Sequence, residues 1–352
     1  MTETLPGELA ATSSAARPTV TLLVPMYNEA KHVDRTLATL YSFMESLNDS
    51  YDWEILIVDD GSKDDTRARA QAFADSHKGV RLKGHRLNLG LGRALTTGFR
   101  NSGSTYIVTC DADLSYAPEH IEDLLDTIVT TEADIVIASP YMEGGSVSGV
   151  PRLRALMSRW ANRFLGALSL GNLATVTGMV RAYDRRFVRS LSFKAVGTQV
   201  NAEIVYKAQI LRANIVEIPA HLRWTRDEAD TNQRRLHFNL LRTILHFAFA
   251  GFIFRPFMFF MLPGLTLLAL ALYTLGWAVY HVVNNFANGS GSFDPRFSAA
   301  VADAFASAPH TFYVGGAAAI IAVQFISLGV VSAQNKRYFE DLYHLTSSTR
   351  AD

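Results

Sequence analysis

Residues 19–66 read TVTLLVPMYNEAKHVDRTLATLYSFMESLNDSYDWEILIVDDGSKDDT, and their rhythm decides the fold. A β-branched apolar run, Thr19 to Val24, gives way to an amphipathic stretch, Glu29 to Leu47. A second apolar run, Trp53 to Val58, leads into another, Asp64 to His77. Short apolar runs read as strands and longer periodic ones as helices. Downstream the alternation continues with a strand at Val80 to Lys83, a helix at Leu91 to Ser102 and a strand at Tyr106 to Cys110. A helix opening near Pro118 and a strand at Ile135 to Ser139 follow. This βαβ rhythm predicts an α/β fold, Rossmann-like, with a mostly parallel sheet covered on both faces.

In an open α/β sheet ligands bind beyond the carboxyl ends of the strands. Four polar clusters fall there: Pro25-Met26-Tyr27-Asn28-Glu29; Asp59-Asp60-Gly61-Ser62 with Asp64, Asp65 and Thr66; Asn88, Gly90, Gly92 and Arg93; and Asp111-Ala112-Asp113. Asp64 and Asn88 read as turn formers or helix caps. Asp111 and Asp113 differ, because residues two apart in extended chain project to one side. Two carboxylates so placed suit a hard divalent cation that also bridges substrate phosphates, whereas capping would need only one of them.

The 352 residues carry 33 Lys or Arg and 33 Asp or Glu, so net charge is zero. That balance argues against a nucleic-acid partner. Only four charges, Arg255, Asp294, Arg296 and Asp303, fall between Leu245 and Asn335. Within this poor region Phe257 to Val283 is uncharged and about 40 Å long as a helix, more than the roughly 30 Å hydrocarbon layer. It can cross with tilt or bend at Pro263-Gly264. Thr311 to Ala333 forms a second uncharged run, and the Gly-, Ser- and Asn-rich segment between the two is too polar for lipid. Arg234, Arg235, Arg242 and Arg255 precede the first run and Lys336 and Arg337 follow the second, against Arg296 alone between them. The positive-inside rule then puts the soluble domain and both termini in the cytosol.

The expected organisation is a disordered tail at 1–17, a catalytic domain at 18–232, an interfacial amphipathic helix at 233–255, two transmembrane helices within 256–335 (about 257–283 and 311–333) and a cytosolic tail at 336–352. Met1 to Arg17 lacks the basic start and apolar stretch of a signal peptide. Leu236 to Phe254 mixes apolar and aromatic residues with His237, Arg242 and His246, which suits a helix lying on the membrane; a buried helix of the soluble domain is the alternative. Cys110, the only cysteine, excludes intramolecular disulfides and lies inside an apolar strand as a small core residue. His85, His221 and His237 lack metal-ligand spacing and read as structural or surface residues.

VPMYNEA, IVDDGSKDDT, NLGLGRA and DADLSYAPE, in this order, resemble the family 2 glycosyltransferases of GT-A fold, and most closely their dolichyl-phosphate mannose synthase and polyprenyl-phosphate glycosyltransferase branch. The likeness covers roughly Pro18 to Trp224. It implies that Pro25, Tyr27 and Glu29 surround the nucleotide base and ribose, with Asp60 also on the nucleotide. It implies further that Asp111 and Asp113 hold Mg²⁺ or Mn²⁺ on the donor diphosphate. ASPYMEGG (Ala138 to Gly145) matches a region near donor and acceptor. TGMVRAY (Thr177 to Tyr183) places Arg181 near phosphate, Glu203 matches an acidic residue on a helix beneath the active site, and Arg226 stands near a phosphate-binding arginine. Three departures stand out: Ser115 replaces a glutamine, Pro140 an arginine, and Gly178-Met179-Val180 the motif Ser-Gly-Phe.

The resemblance implies inverting transfer of a hexose, mannose or glucose, from a GDP- or UDP-sugar to a polyprenyl phosphate at the cytosolic membrane face. A lipid phosphate is already anionic and needs no general base. A glycosyltransferase acting on another lipid or a growing polysaccharide is the alternative. Such enzymes carry a QxxRW motif, and here Ala220 precedes Arg223-Trp224 in place of the glutamine. A non-catalytic membrane adaptor would be expected to lose the aspartate pair, yet both remain. A homo-oligomer is compatible with the sequence.

Overall fold

The computed structural model describes residues 17–150, 156, 158–160, 162–163, 173–223 and 256–351. They form two compact units, one ending at residue 223 and the other beginning at 256.

The first unit is an α/β domain. Its first strand, β1 (Thr19–Met26), lies beside β2 (Asp52–Asp59), β3 (Val80–Gly84) and β4 (Tyr106–Thr109), all parallel, in the order β3-β2-β1-β4. The residues Val20, Leu22, Leu23 and Val24 of β1 and Ile55 to Val58 of β2 are buried on both faces, as central parallel strands require. Helix α1 (Val33–Ser46) covers one face. Val33, Leu37, Leu40 and Met44 recur at the helical period and are fully buried. Each contributes on the order of 1.5–3 kcal/mol of gross burial. Helices α2 (Thr66–Ser76), α3 (Leu91–Asn101) and α4 (Glu119–Thr131) complete the alternation up to β5 (Ile135–Ser139). α1 begins four residues later than its apolar pattern suggests, because the N–H groups of His32 and Val33 both turn back onto the Glu29 carbonyl.

Beyond β5 lie β6 (Ser146–Ser148), β7 (Arg181–Asp184), α5 (Arg185–Ser190), α6 (Val200–Ile210), β8 (Ile215–Pro219) and β9 (His221–Arg223). The four-residue β7 enters the sheet antiparallel to both β4 and β5, giving the full order β3-β2-β1-β4-β7-β5-β8. So short a strand leaves no periodic trace in sequence. β6 and β9 pair in a small parallel sheet, and an isolated bridge joins Tyr116 to Leu222.

In the second unit α7 (Pro256–Asn288) and α9 (Pro309–Ala351) are long helices joined through α8 (Phe293–Ser307). Phe257–Asn288 and Pro309–Tyr343 are, by length and composition, apolar enough to cross a membrane. α7 passes through Pro263 as one helix. The two pack antiparallel, Gly264 against Ile326 and Gly315 against Thr274. The connecting segment expected to be too polar for lipid contains α8, where Arg296 donates to the carbonyls of Phe286 and Ala287 and lies 4.3 Å from the Phe286 ring centre. The expected interfacial helix at 233–255 falls outside the described residues, as does nearly all of the 1–17 tail.

Candidate active site

The loops after β1 and β2 latch onto each other. Asn28 sits at φ 58°, a left-handed conformation that asparagine tolerates. Its N–H donates to Ser62 Oγ at 3.0 Å, and its Oδ1 accepts from the Lys63 N–H at 2.8 Å. The Glu29 N–H donates to Thr66 Oγ1 at 2.7 Å, and the Ala30 N–H to Asp64 Oδ2. Burial would raise the Asp64 carboxyl, but the Thr66 hydroxyl, the Thr66 N–H and the Ala30 N–H outweigh it and hold it below its ordinary value. Pro25 is half-buried at the end of β1, and Tyr27 is exposed beside it.

Asp60 is 4% exposed and reaches the glycine-rich turn. Its Oδ1 accepts from the Leu89 N–H at 2.9 Å and lies 2.7 Å from His85 Nδ1; its Oδ2 accepts from the Gly90 N–H at 2.7 Å. A carboxylate only accepts, so Nδ1 of His85 carries the proton, while Nε2 lies 2.9 Å from Thr97 Oγ1. Gly61 and Gly90 adopt φ +71° and +88°. A Cβ on Gly61 would stand 2.3 Å from the Leu87 carbonyl carbon, so only glycine lets the two loops meet.

The turn is braced from its other side. Gly92 donates its N–H to the Val196 carbonyl at 2.7 Å, and a Cβ there would meet the Ala195 oxygen at 2.0 Å. The segment holding Ala195 and Val196 is in turn gripped by Glu203 on α6. Its carboxylate accepts from the N–H groups of Lys194 and Ala195 and pairs with Lys207 Nζ at 2.5 Å. Lys207 also donates to the Ser192 carbonyl. Asp60 and Glu203 thus hold one turn between them.

Asp111 and Asp113 follow β4 in a turn that continues through Leu114 at φ 54°. Both are partly exposed. The Ala112 carbonyl between them is fixed by Thr36 Oγ1 at 2.7 Å, and Asp113 Oδ1 accepts from the Ser115 N–H at 2.8 Å. The local field is negative. Burial and the charge of Asp113 raise Glu29, with Asp64 adding to this against the opposing charge of His32. Burial, with Asp111 and then Asp113, pushes up the Cys110 thiol. Burial and Asp111 likewise push up the Tyr116 hydroxyl. Among the described residues Asp113 makes no ion pair, and no cluster of three or more His, Cys, Asp or Glu could hold a metal by itself. Two accessible carboxylates in a negative field fit a magnesium-class ion whose remaining ligands are phosphate oxygens and water.

Arg181 is fully buried in β7, paired in register with Thr109 of β4. Its guanidinium donates to the carbonyls of Asn201 at 3.1 Å and Val176 at 2.7 Å. It therefore lies beneath the aspartate turn rather than on a surface. Two braces escaped the sequence reading. Glu217 on β8 accepts from the N–H groups of Ala174 and Thr175, and buried Asn162 accepts from those of Val176 and Thr177. Acceptors of this kind carry no local sequence signature, because their partners lie 14 to 43 residues away along the chain. Arg226, together with Trp224, Arg234, Arg235 and Arg242, lies outside the described residues.

Residues 21–192 match the profile of glycosyl transferase family 2. The chain is 31% identical over 216 residues to the polyprenol monophosphomannose synthase of Mycolicibacterium smegmatis, covering 58% of this chain and 78% of that protein. It is 31% identical over 207 residues to the undecaprenyl-phosphate mannosyltransferase of Micrococcus luteus, covering 57% and 82%. Identity to a dolichol-phosphate mannosyltransferase of Pyrococcus furiosus is 28%, and the match spans 57% of this chain and only 55% of that protein's length. Among solved structures, glucosyl-3-phosphoglycerate synthase from Mycobacterium tuberculosis aligns with TM-score 0.47 at 22% identity, over 59% of this chain and 72% of that one. The chain belongs to glycosyl transferase family 2, in its polyprenyl-phosphate glycosyltransferase branch.

Proposed function

We propose that the protein transfers a hexose from a nucleotide diphosphate sugar to a polyprenyl phosphate, with inversion at the anomeric carbon. Mannose or glucose is the sugar and GDP or UDP the nucleotide. The observation that carries this reading is the Asp111–Asp113 turn beyond β4, in a chain two of whose relatives are named for mannosyl transfer to polyprenyl phosphates.

The reaction asks for placement and charge compensation. A phosphate monoester carries about −1.5 to −2 charge at neutral pH and attacks without a base. One bond forms from its oxygen to the anomeric carbon as the bond to the nucleoside diphosphate breaks on the opposite face. Asp111 and Asp113 would hold Mg²⁺ or Mn²⁺, which supplies charge neutralisation at the leaving diphosphate. Pro25, Tyr27 and Glu29 would line the base and ribose. Asp60 would act there through the glycine-rich turn it organises, as would Glu203 from below. Arg181 would contribute positive potential from beneath the turn, and Arg226 a direct phosphate contact. Preorganised charge of this kind supplies most of the catalysis in phosphate chemistry.

The apolar helices α7 and α9 would span the membrane with the α/β domain and both termini in the cytosol, where nucleotide sugars are available. The test is to incubate membranes containing the protein with a panel of radiolabelled nucleotide sugars and polyprenyl phosphate. The extracted lipid should carry label released by mild acid. Label found in polymer instead would overturn the reading.

A further inference from the structure

Helix α1 buries five residues, Val33, Thr36, Leu37, Leu40 and Met44, and Thr36 is the one polar member. It is 2% exposed, at a position where the helical period calls for an apolar side chain. A buried hydroxyl costs stability unless it is hydrogen-bonded. Threonine inside a helix can meet that need locally, by turning its hydroxyl back onto the carbonyl four residues earlier. Thr39 does so with Arg35, Thr96 with Gly92, Thr127 with Asp123 and Thr130 with Asp126. Thr36 does not. Its Oγ1 donates instead to the Ala112 carbonyl at 2.7 Å, 76 residues away, between the two aspartates beyond β4.

The aspartate turn is anchored at both ends. At one end the Cys110 N–H donates to the Leu23 carbonyl of β1 at 3.1 Å. At the other the Ser115 carbonyl accepts from the Arg223 N–H of β9 at 2.8 Å, and Tyr116 bridges to Leu222. Between these anchors Leu114 is held at φ 54°, a left-handed conformation that leucine disfavours, and Asp113 Oδ1 takes the Ser115 N–H. A turn fixed at its ends and strained in the middle relaxes by rotating whichever peptide plane is not held. The plane shared by Ala112 and Asp113 sets the direction of the Asp113 Cα–Cβ bond, so its rotation would swing one carboxylate away from the other. Among the described residues the Thr36 hydroxyl is the donor that reaches the Ala112 oxygen and holds that plane.

We propose that Thr36 is a positioning residue for the metal: its hydroxyl locks the peptide plane between Asp111 and Asp113 so that both carboxylates face one divalent cation. Helix α1 itself starts on the loop after β1, where the N–H groups of His32 and Val33 close onto the Glu29 carbonyl. One helix thus carries the nucleotide loop at its N-terminus and, one turn on, the hydroxyl that sets the metal turn. The inference rests on the reading of Asp111 and Asp113 as metal ligands and adds to it a side chain that touches neither metal nor substrate.

The test separates metal from nucleotide. Binding of GDP and of UDP to the full chain in detergent micelles is followed by calorimetry, once in EDTA and once in saturating Mn²⁺. The ratio of the two dissociation constants is the gain conferred by the metal. Thr36→Val keeps the shape and removes the donor, Thr36→Ala serves should valine disturb α1, and Thr36→Ser restores a donor at the same atom. A buried acceptor deprived of its donor shifts an equilibrium by about one decade, so we expect the gain to fall about tenfold in Thr36→Val and Thr36→Ala and to stay within about twofold of the parent in Thr36→Ser. Dissociation constants in EDTA should not change. Asp113→Ala should lose the gain altogether. A gain lost in Asp113→Ala but kept in Thr36→Val overturns the proposal and leaves the metal reading standing. Equal deficits in Thr36→Val and Thr36→Ser, or a weakening in EDTA as large as that in Mn²⁺, overturn it in the same way. A parent that gains nothing from Mn²⁺ with either nucleotide overturns both.

Discussion

Replacing Asp60 by asparagine tests whether the glycine-rich turn is organised from beneath. The carboxylate is buried and takes three donors: Oδ1 faces His85 Nδ1 and the Leu89 N–H, and Oδ2 faces the Gly90 N–H. Asparagine keeps one acceptor oxygen. With that oxygen toward the pair of donors, its amide NH₂ meets the Gly90 N–H, donor against donor. A hydrogen bond to a charged group is worth about 1.5–3 kcal/mol, so we expect the turn to lose about 2–3 kcal/mol of preference for its native form. At 1.36 kcal/mol per decade this is roughly a 30- to 150-fold rise in KM for the nucleotide sugar, with kcat at saturation little changed. Hydrogen exchange of the purified full chain supplies the structural readout: the amides of Leu89 and Gly90 should exchange faster by a similar factor. Gly90→Ala attacks the same turn from its backbone, since φ is +88° and the added Cβ would stand 2.5 Å from the Val196 oxygen. Two perturbations of one turn should not add, so the double variant should bind donor about as weakly as the worse single one. Unchanged protection of Leu89 and Gly90, with full additivity between the variants, would refute this role and make Asp60 a direct ligand or a bystander.

Gly92→Ala should lower both the melting temperature and donor affinity, because its Cβ would meet the Ala195 carbonyl oxygen, a backbone atom, at 2.0 Å; differential scanning fluorimetry with and without nucleotide reads this, and an unchanged profile would contradict the packing. Cys110 should resist thiol reagents at pH 8 in the folded chain. Its thiol is pushed up by burial and by Asp111 and Asp113, so the thiolate is scarcer than in free cysteine, whereas denaturant should expose one fully reactive thiol. Asp113→Ala should lower transfer by 10³-fold or more while near-native melting is retained, since the side chain is partly exposed and among the described residues it accepts from the nearby Ser115 N–H alone; activity within tenfold of the parent would remove the pair from the chemistry.

The strands β1, β2, β4 and β5 are legible because each is a short, buried β-branched run bounded by turn residues. So are the apolar helices, whose uncharged length alone marks them. The antiparallel β7 is not, because four residues carry no period and its pairing with β4 and β5 comes from chain lying more than forty residues away. At the site, positions are more legible than contacts. Asp111 and Asp113 stand out by spacing alone, but nothing local to Arg181 reveals that its guanidinium is buried against the carbonyls of Val176 and Asn201, which lie outside the sheet. Likewise Glu203 stands on the expected helix, yet its hold on Lys194 and Ala195 depends on how the irregular segment just before that helix turns back onto it. His85 reads as an ordinary polar residue until the fold brings Asp60 and Thr97 to its two nitrogens.

The proposal that an anionic lipid headgroup is the nucleophile is tested most directly by offering the full chain in bilayers the same radiolabelled nucleotide sugar with polyprenyl phosphate or with the corresponding free polyprenol. We expect labelled lipid only with the phosphate, bearing the anomeric configuration opposite to that of the donor. Equal labelling of the free alcohol, or retention of configuration, would contradict it.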